Sequence, residues 1–288
     1  MNDLVLHPVT RQQLDDFVGA PAHAVILNGP AGSGKQTLAI HLSTMVLGLP
    51  LAGFTDYPYK MIVVSDEGKA IGIEAVREIE RFLSLKVPDN GQAASHNRAI
   101  IIQDAHLLST EAQNALLKTL EEPPSGTFII LTADSEQALL PTIRSRAQSI
   151  SVKRPEQALV EAYFKSKDFG DQAVRQTYAV SGGLPGLMQA LLEQTDHPLV
   201  QATEQARKLL SQATYERLLS VDELSKQRQL ALDTMFILQQ MARVSLQTAA
   251  GPAAVKWQAV LTASYRAAEA LAASAQPKLV LTNLMLSF

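Results

Sequence analysis

The feature that most constrains this chain is a strand that leads into a glycine-rich loop. Ala24-Val25-Ile26-Leu27 is a continuous apolar run, and Gly29-Pro30-Ala31-Gly32-Ser33-Gly34-Lys35 follows it. A run without polar alternation suits a strand buried on both faces, as in a parallel sheet. The loop has the Gly-x-x-x-x-Gly-Lys form of a P-loop, which stands between a strand and a helix and cradles phosphate oxygens with backbone N–H groups. A chain that uses such a loop needs a parallel sheet behind it.

The rest of the first half supplies one. Met61-Ile62-Val63-Val64, Ile100-Ile101-Ile102, Phe128-Ile129-Ile130-Leu131 and the weaker Ser149-Ile150-Ser151-Val152 read as four further strands. Helical spacing is expected over 35–47, 71–85 and 111–122. In the last of these, Thr110 reads as the N-cap of a capping box completed by Gln113, and Pro123-Pro124 as the stop. Alternating strands and helices imply a doubly wound α/β domain over residues 1–152. Strand patterns then cease. Residues 155–167, 171–180 and 186–194 read as short helices of a small domain, 153–197, punctuated by Gly170 and Ser181-Gly182-Gly183. The Ala-, Leu- and Gln-rich remainder, 198–288, reads as a larger all-helical domain, with Pro252 and Pro277 as its main breaks.

Composition narrows the chemistry. With 47% hydrophobic residues, the 288-residue chain can bury a sizeable core. It has no cysteine, which excludes disulfides and thiolate metal sites, and its six histidines show no pair at zinc-ligand spacing. The net charge of -3 argues against a protein that binds DNA tightly by itself. Met1-Asn2-Asp3-Leu4 lacks the pattern of a secretory leader. No apolar run approaches the roughly 18 residues of a membrane span. The expected location is the cytoplasm.

Two positions depart from a working nucleotide hydrolase. After the P-loop lysine a Ser or Thr hydroxyl normally ligates magnesium. Here the residue is Gln36, and Thr37 is rotated about 100° around the helix. The loop is therefore expected to hold phosphate while holding Mg²⁺ poorly. Ile100-Ile101-Ile102-Gln103-Asp104 has the form of a Walker B strand, whose Asp orients the metal. Ala105 follows, and an alanine cannot accept the proton of an attacking water; losing a positioned base forfeits a factor of roughly 10²–10⁴ in rate. His106 stands one position too far to be its direct replacement.

Asp104-Ala105-His106-Leu107-Leu108, followed by Thr110-Glu111-Ala112-Gln113-Asn114-Ala115-Leu116-Leu117-Lys118-Thr119-Leu120-Glu121-Glu122-Pro123-Pro124, resembles the signature segment of bacterial sliding-clamp loaders. These are the AAA+ subunits of the DNA polymerase III holoenzyme. Thr142-Ile143-Arg144-Ser145-Arg146-Ala147 resembles the family's Ser-Arg-Cys motif. The resemblance is strongest over 24–152, looser to about 190 and only architectural beyond. It implies an AAA+ P-loop domain, a helical lid and a helical collar.

Within that family, motor subunits (gamma/tau) keep Ser/Thr after the P-loop lysine, Asp-Glu in Walker B and an arginine in the lid's sensor-2 segment. Gln36, Ala105 and Gly186 resemble the delta-prime subunit instead, as does Ala133 at the sensor-1 position. The family also implies a role for Arg146: an arginine finger that reaches a neighbour's ATP. Without the resemblance, a pairing of Arg146 with a surface carboxylate would be the simpler reading. Residues 48–60 contain none of the cysteines of a zinc module found in many relatives, so no zinc is expected.

The expected function is thus a stator. It supplies Arg146 in trans and hydrolyses no ATP itself. Gly29, Pro30, Ala31, Gly32, Ser33, Gly34, Lys35, Gln36, Thr37 and Asp104 would form its nucleotide site, taking ATP or ADP. Expected partners are the motor and delta subunits of a heteropentamer, with the sliding clamp and primer–template DNA reached through the complex; no membrane is involved. The competing readings are an active AAA+ motor and a P-loop kinase of a small metabolite. The second lacks any reason for the 114–124 run.

Overall fold

The continuous apolar runs become one parallel sheet. Its strands are β1 (Ala24–Asn28), β2 (Lys60–Val63), β3 (Arg98–Ile102), β4 (Thr127–Ala133) and β5 (Gln148–Ser151), in the spatial order β2-β3-β4-β1-β5. This is a computed structural model, and it describes residues 3–66, 69–87, 96–195 and 197–288; Met1 and Asn2, part of the leader reading, lie outside them. The chain separates into two compact units, Met1–Pro155 and Glu156–Phe288.

In the first unit, alternate strand residues feed two cores. Ala24, Ile26, Ile100, Ile102, Ile129 and Leu131 face α3 (Ile73–Leu83) and α4 (Thr110–Glu121). Val25, Leu27, Ala99, Ile101, Phe128 and Ile130 face the opposite layer, where α1 (Pro8–Gly19) and α2 (Lys35–Val46) pack. Every residue of β3 and β4 is buried, so neither strand has a polar face to show. A short α5 (Pro141–Arg144) precedes β5.

Helix α1 was not among the expected elements, although its start carries recognisable signals. His7 is the N-cap, its Nδ1 accepting the Val9 N–H at 3.1 Å, and Pro8 occupies the first turn. Thr10 pins the helix to the end of β5: its hydroxyl donates to Ser151 O at 2.8 Å and accepts the Lys153 N–H at 3.0 Å. Within residues 48–60, Leu51–Phe54 forms a 3₁₀ turn that buries Phe54. Buried Arg98, at the start of β3, donates to Leu83 O at 2.6 Å and Leu85 O at 3.0 Å, placing a cation at the C-terminus of α3.

The capping of α4 differs from the capping-box reading. Ser109, not Thr110, is the N-cap, and its Oγ accepts the Ala112 N–H at 3.1 Å. Adjacent hydroxyl residues made the two positions equivalent on paper; Ser109 alone has extended backbone before the first turn. Gln113 therefore completes no box, and its amide is used elsewhere.

The second unit contains only helices among its described residues: α6 (Gln157–Ser166), α7 (Asp171–Ser181), α8 (Pro185–Glu193), α9 (Pro198–Ser211), α10 (Thr214–Leu224), α11 (Arg228–Leu246), α12 (Pro252–Ala272) and α13 (Pro277–Met285). Pro252 and Pro277 stand in the first turns of α12 and α13, where a missing N–H costs nothing. Helix α11 is the centre of this unit and packs on α7, α9, α10 and α12. Lys278 of α13 pairs with Asp222 of α10 at 2.6 Å. No described helix is long and apolar enough to cross a membrane.

Candidate functional site

Parallel register brings the chemistry to the carboxyl edge of the sheet. Asn28, the last residue of β1, lies beside Ala133 of β4 and Ser151 of β5. Beyond it the Gly29 N–H donates to Ala133 O at 3.1 Å. A Cβ on Gly29 would stand 2.6 Å from Val152 O, so only glycine lets the loop leave the sheet here. Gly32 and Gly34 have φ of 75° and 89°, in the left-handed region. Gly34 then caps α2 without any side-chain hydrogen bond. The first-turn N–H groups of α2 thus form an anion-binding surface. Ser33 Oγ is buried in the same loop and has no partner.

These features fit a phosphate, and the ammonium of Lys35 is already engaged within the protein. Lys35 is 6% exposed, and its ammonium donates to Gly29 O at 2.7 Å, Pro30 O at 3.1 Å and Asp134 Oδ1 at 2.8 Å. Gln36 and Thr37 are both exposed on the first turn of α2. Pro30, Ala31 and Gly32 are half-buried and complete the loop.

Asp104 follows β3 with φ 49°, a left-handed conformation that Asp and Asn tolerate better than other side chains. Its N–H donates to Thr132 Oγ1 at 3.0 Å, tying the turn to β4. Burial pushes its carboxyl above the usual range and the Asp134 carboxylate adds to this, while His106 and Lys35 oppose it. Ala105, next in the chain, is fully buried. His106 Nδ1 accepts the Asp134 N–H at 3.4 Å, and its Nε2 lies 3.9 Å from Asp134 Oδ2. Ligand atoms of Asp104, His106 and Asp134 lie within 4.8 Å of one another. The cleft thus holds two carboxylates and an imidazole around one ammonium.

Arg146 is held by its own chain. Its guanidinium pairs with Glu121 Oε1 of α4 at 2.5 Å and donates to Thr142 O at 2.9 Å and Ser145 Oγ at 3.2 Å. The surface-carboxylate pairing is therefore present, with both partners partly exposed, and no P-loop residue takes part in it. Gln113 joins the two regions. Its Nε2 donates to Leu108 O at 3.2 Å, and its Oε1 accepts the Leu140 N–H, just before α5, at 2.8 Å.

Three participants were not singled out as site residues from the sequence: Asp134, Glu121 and the side chain of Gln113. Asp134 had a signal, being the first charged residue after the longest apolar strand and hence at the ligand-bearing edge of a parallel sheet. Glu121 had none, because its partner is 25 residues away, as the difference of the two numbers gives.

Known proteins resemble parts of this chain. Residues 56–156 match the model of a family described as DNA polymerase III, delta subunit. The DNA polymerase III subunit delta' of Haemophilus influenzae is 29% identical over 204 residues, covering 66% of this chain and 61% of the relative. That of Pseudomonas aeruginosa is 30% identical over 209 residues, covering 66% of this chain and 62% of the relative. The chain thus spans about three fifths of the length of these relatives. A crystal structure of a DNA polymerase III gamma subunit-related protein from Thermotoga maritima has the same fold, with TM-score 0.51 at 19% identity over 96% of this chain and 97% of its own. Over the matched two thirds of its length the chain is a relative of the delta-prime subunits, and it shares the fold of the gamma subunit-related protein.

Proposed function

We propose that this relative of the delta-prime subunits acts as the stator of a bacterial clamp loader. It gives up hydrolysis in its own cleft and supplies Arg146 to the ATP of an adjacent motor subunit. One observation carries this reading: the position after Asp104, where a hydrolase needs a base, is a fully buried methyl group. Exposed Gln36 offers no short hydroxyl for magnesium either. The loop's glycines, the uncapped start of α2 and the orphaned Ser33 Oγ support binding of ATP or ADP by Gly29–Thr37 and Asp104. The nucleotide, when bound, would supply phosphate charge to this loop; the chain's own residues would hold it without positioning a water. The proposed partners are motor and delta subunits, and the clamp and primer–template DNA through them. Residues 153–197 would form the lid and 198–288 the collar, in a cytoplasmic complex.

The bond of Arg146 to Glu121 is compatible with a role in trans. A half-exposed ion pair contributes about 0–1 kcal/mol, a small cost to exchange for a phosphate. An arginine finger is worth about 10³–10⁵ in rate at the site it serves. In a reconstituted loader, Arg146→Ala is expected to cut clamp- and DNA-stimulated hydrolysis at the neighbouring site at least tenfold in single-turnover assays, with assembly intact by size exclusion. Unchanged hydrolysis refutes the role. Steady-state ATPase of the isolated chain, abolished by Lys35→Ala, would establish the motor reading instead.

A further inference from the structure

Lysine has three ammonium protons and no more. In this structure Gly29 O, Pro30 O and Asp134 Oδ1 take all three, at 2.7, 3.1 and 2.8 Å. The two carbonyls belong to the loop itself, so they travel with Lys35 and are weak rivals for it. Asp134 is different. It is anionic and it follows a fully buried strand. Its N–H is also engaged, donating to His106 Nδ1 at 3.4 Å. The carboxylate is thus held where the sheet register places it, one residue beyond the Ala133–Asn28 pair and beside the first glycine of the loop.

We infer that Asp134 is a tethered rival of the nucleotide's phosphates for Lys35, so that a nucleoside di- or triphosphate enters this P-loop only by displacing it. The inference rests on the reading of the loop as a nucleotide site and adds what sets its affinity. If the lysine is captured most of the time, the apparent dissociation constant is the intrinsic one divided by the fraction of molecules in which it is free. Asp134 also remains in the cleft after displacement and repels incoming phosphate, as Asp104 does when no metal ion stands between it and the nucleotide. Both effects weaken binding, but only the first is specific to the residue that holds Lys35.

That difference gives the test. Binding of ADP and ATP to the full chain is measured by calorimetry, with and without magnesium, for wild type, Asp134→Asn and Asp104→Asn. Thermal melting checks that each variant is folded. Release of Lys35 predicts that Asp134→Asn tightens both nucleotides about tenfold or more. Without magnesium, Asp104→Asn, which removes a cleft charge without touching the Lys35 hydrogen bonds, is expected to give less than about a threefold gain. The Asp134→Asn gain should vanish when Lys35→Met is added. Equal gains from the two Asn variants overturn the tether and leave only charge repulsion. Identical constants for wild type and Asp134→Asn overturn the inference while the loop stands as a nucleotide site. Absence of binding to every variant at millimolar nucleotide overturns both.

Discussion

Replacing Gln113 with methionine tests whether one amide braces the Asp104–His106 turn and the segment that carries Arg146. Met has nearly the length and volume of Gln, so Gln113→Met opens no large cavity and removes only the polar groups. The side chain is 6% exposed. Its loss strands Leu108 O, beside the Asp104–His106 turn, and the Leu140 N–H, at the start of the segment that carries Arg146. A buried group left without its partner costs about 1–3 kcal/mol. Leu108 is buried and Leu140 half-buried, so the two together should cost about 2–4 kcal/mol. For domains of this size each kcal/mol lowers the melting temperature by about 2–4 °C, giving a drop of roughly 4–16 °C. Circular dichroism melts of wild type and variant at one protein concentration measure it. A shift under about 1 °C would mean that water takes over both bonds, and the brace would be refuted.

Two further outcomes follow from the loop and the acidic turn. Gly29→Ala puts a methyl group 2.6 Å from the backbone of Val152, so it should cost about 1–3 kcal/mol by urea denaturation; an unchanged midpoint would show that β5 yields freely. Asp104→Asn should stabilise the fold at neutral pH, because burial and Asp134 raise the folded carboxyl above 3.8 and the ionised form is the penalised one. The sign requires the gain to be absent below the unfolded value and to grow as pH rises through the folded one; equal melting differences at pH 3.5 and pH 7 would contradict it.

Most of the sheet was legible because strands buried on both faces are built mainly from continuous apolar runs. Ile100–Ile102 and Phe128–Leu131 fall inside β3 and β4, and the strand ends differ by at most two residues. The P-loop was legible because its glycines are demanded by local backbone geometry. Helix α1 was not among the expected elements although Thr10, Leu14 and Phe17 recur at helical spacing and Pro8 stands at its start. The N-cap of α4 was misplaced by one residue because Ser109 and Thr110 offer the same oxygen. What could not be read were side-chain destinations. The Lys35–Asp134 and Arg146–Glu121 pairs depend on register and on the end of α4, which no local pattern encodes. Gln113 read as a local cap because its long-range partner at Leu140 is a backbone N–H, which every residue but proline offers.

Both cations that would meet polyphosphate, Lys35 within the chain and Arg146 beyond it, are already neutralised by a carboxylate of their own. Electrolyte therefore acts on both sides of each exchange. It screens the attraction of lysine or arginine for phosphate, and it equally loosens the internal partner that must let go. On the proposed reading, the protein is by this arrangement a poor long-range lure for anions, and its exchange with phosphate depends only weakly on salt. Selectivity would then rest on shape and on contact with the proposed neighbour.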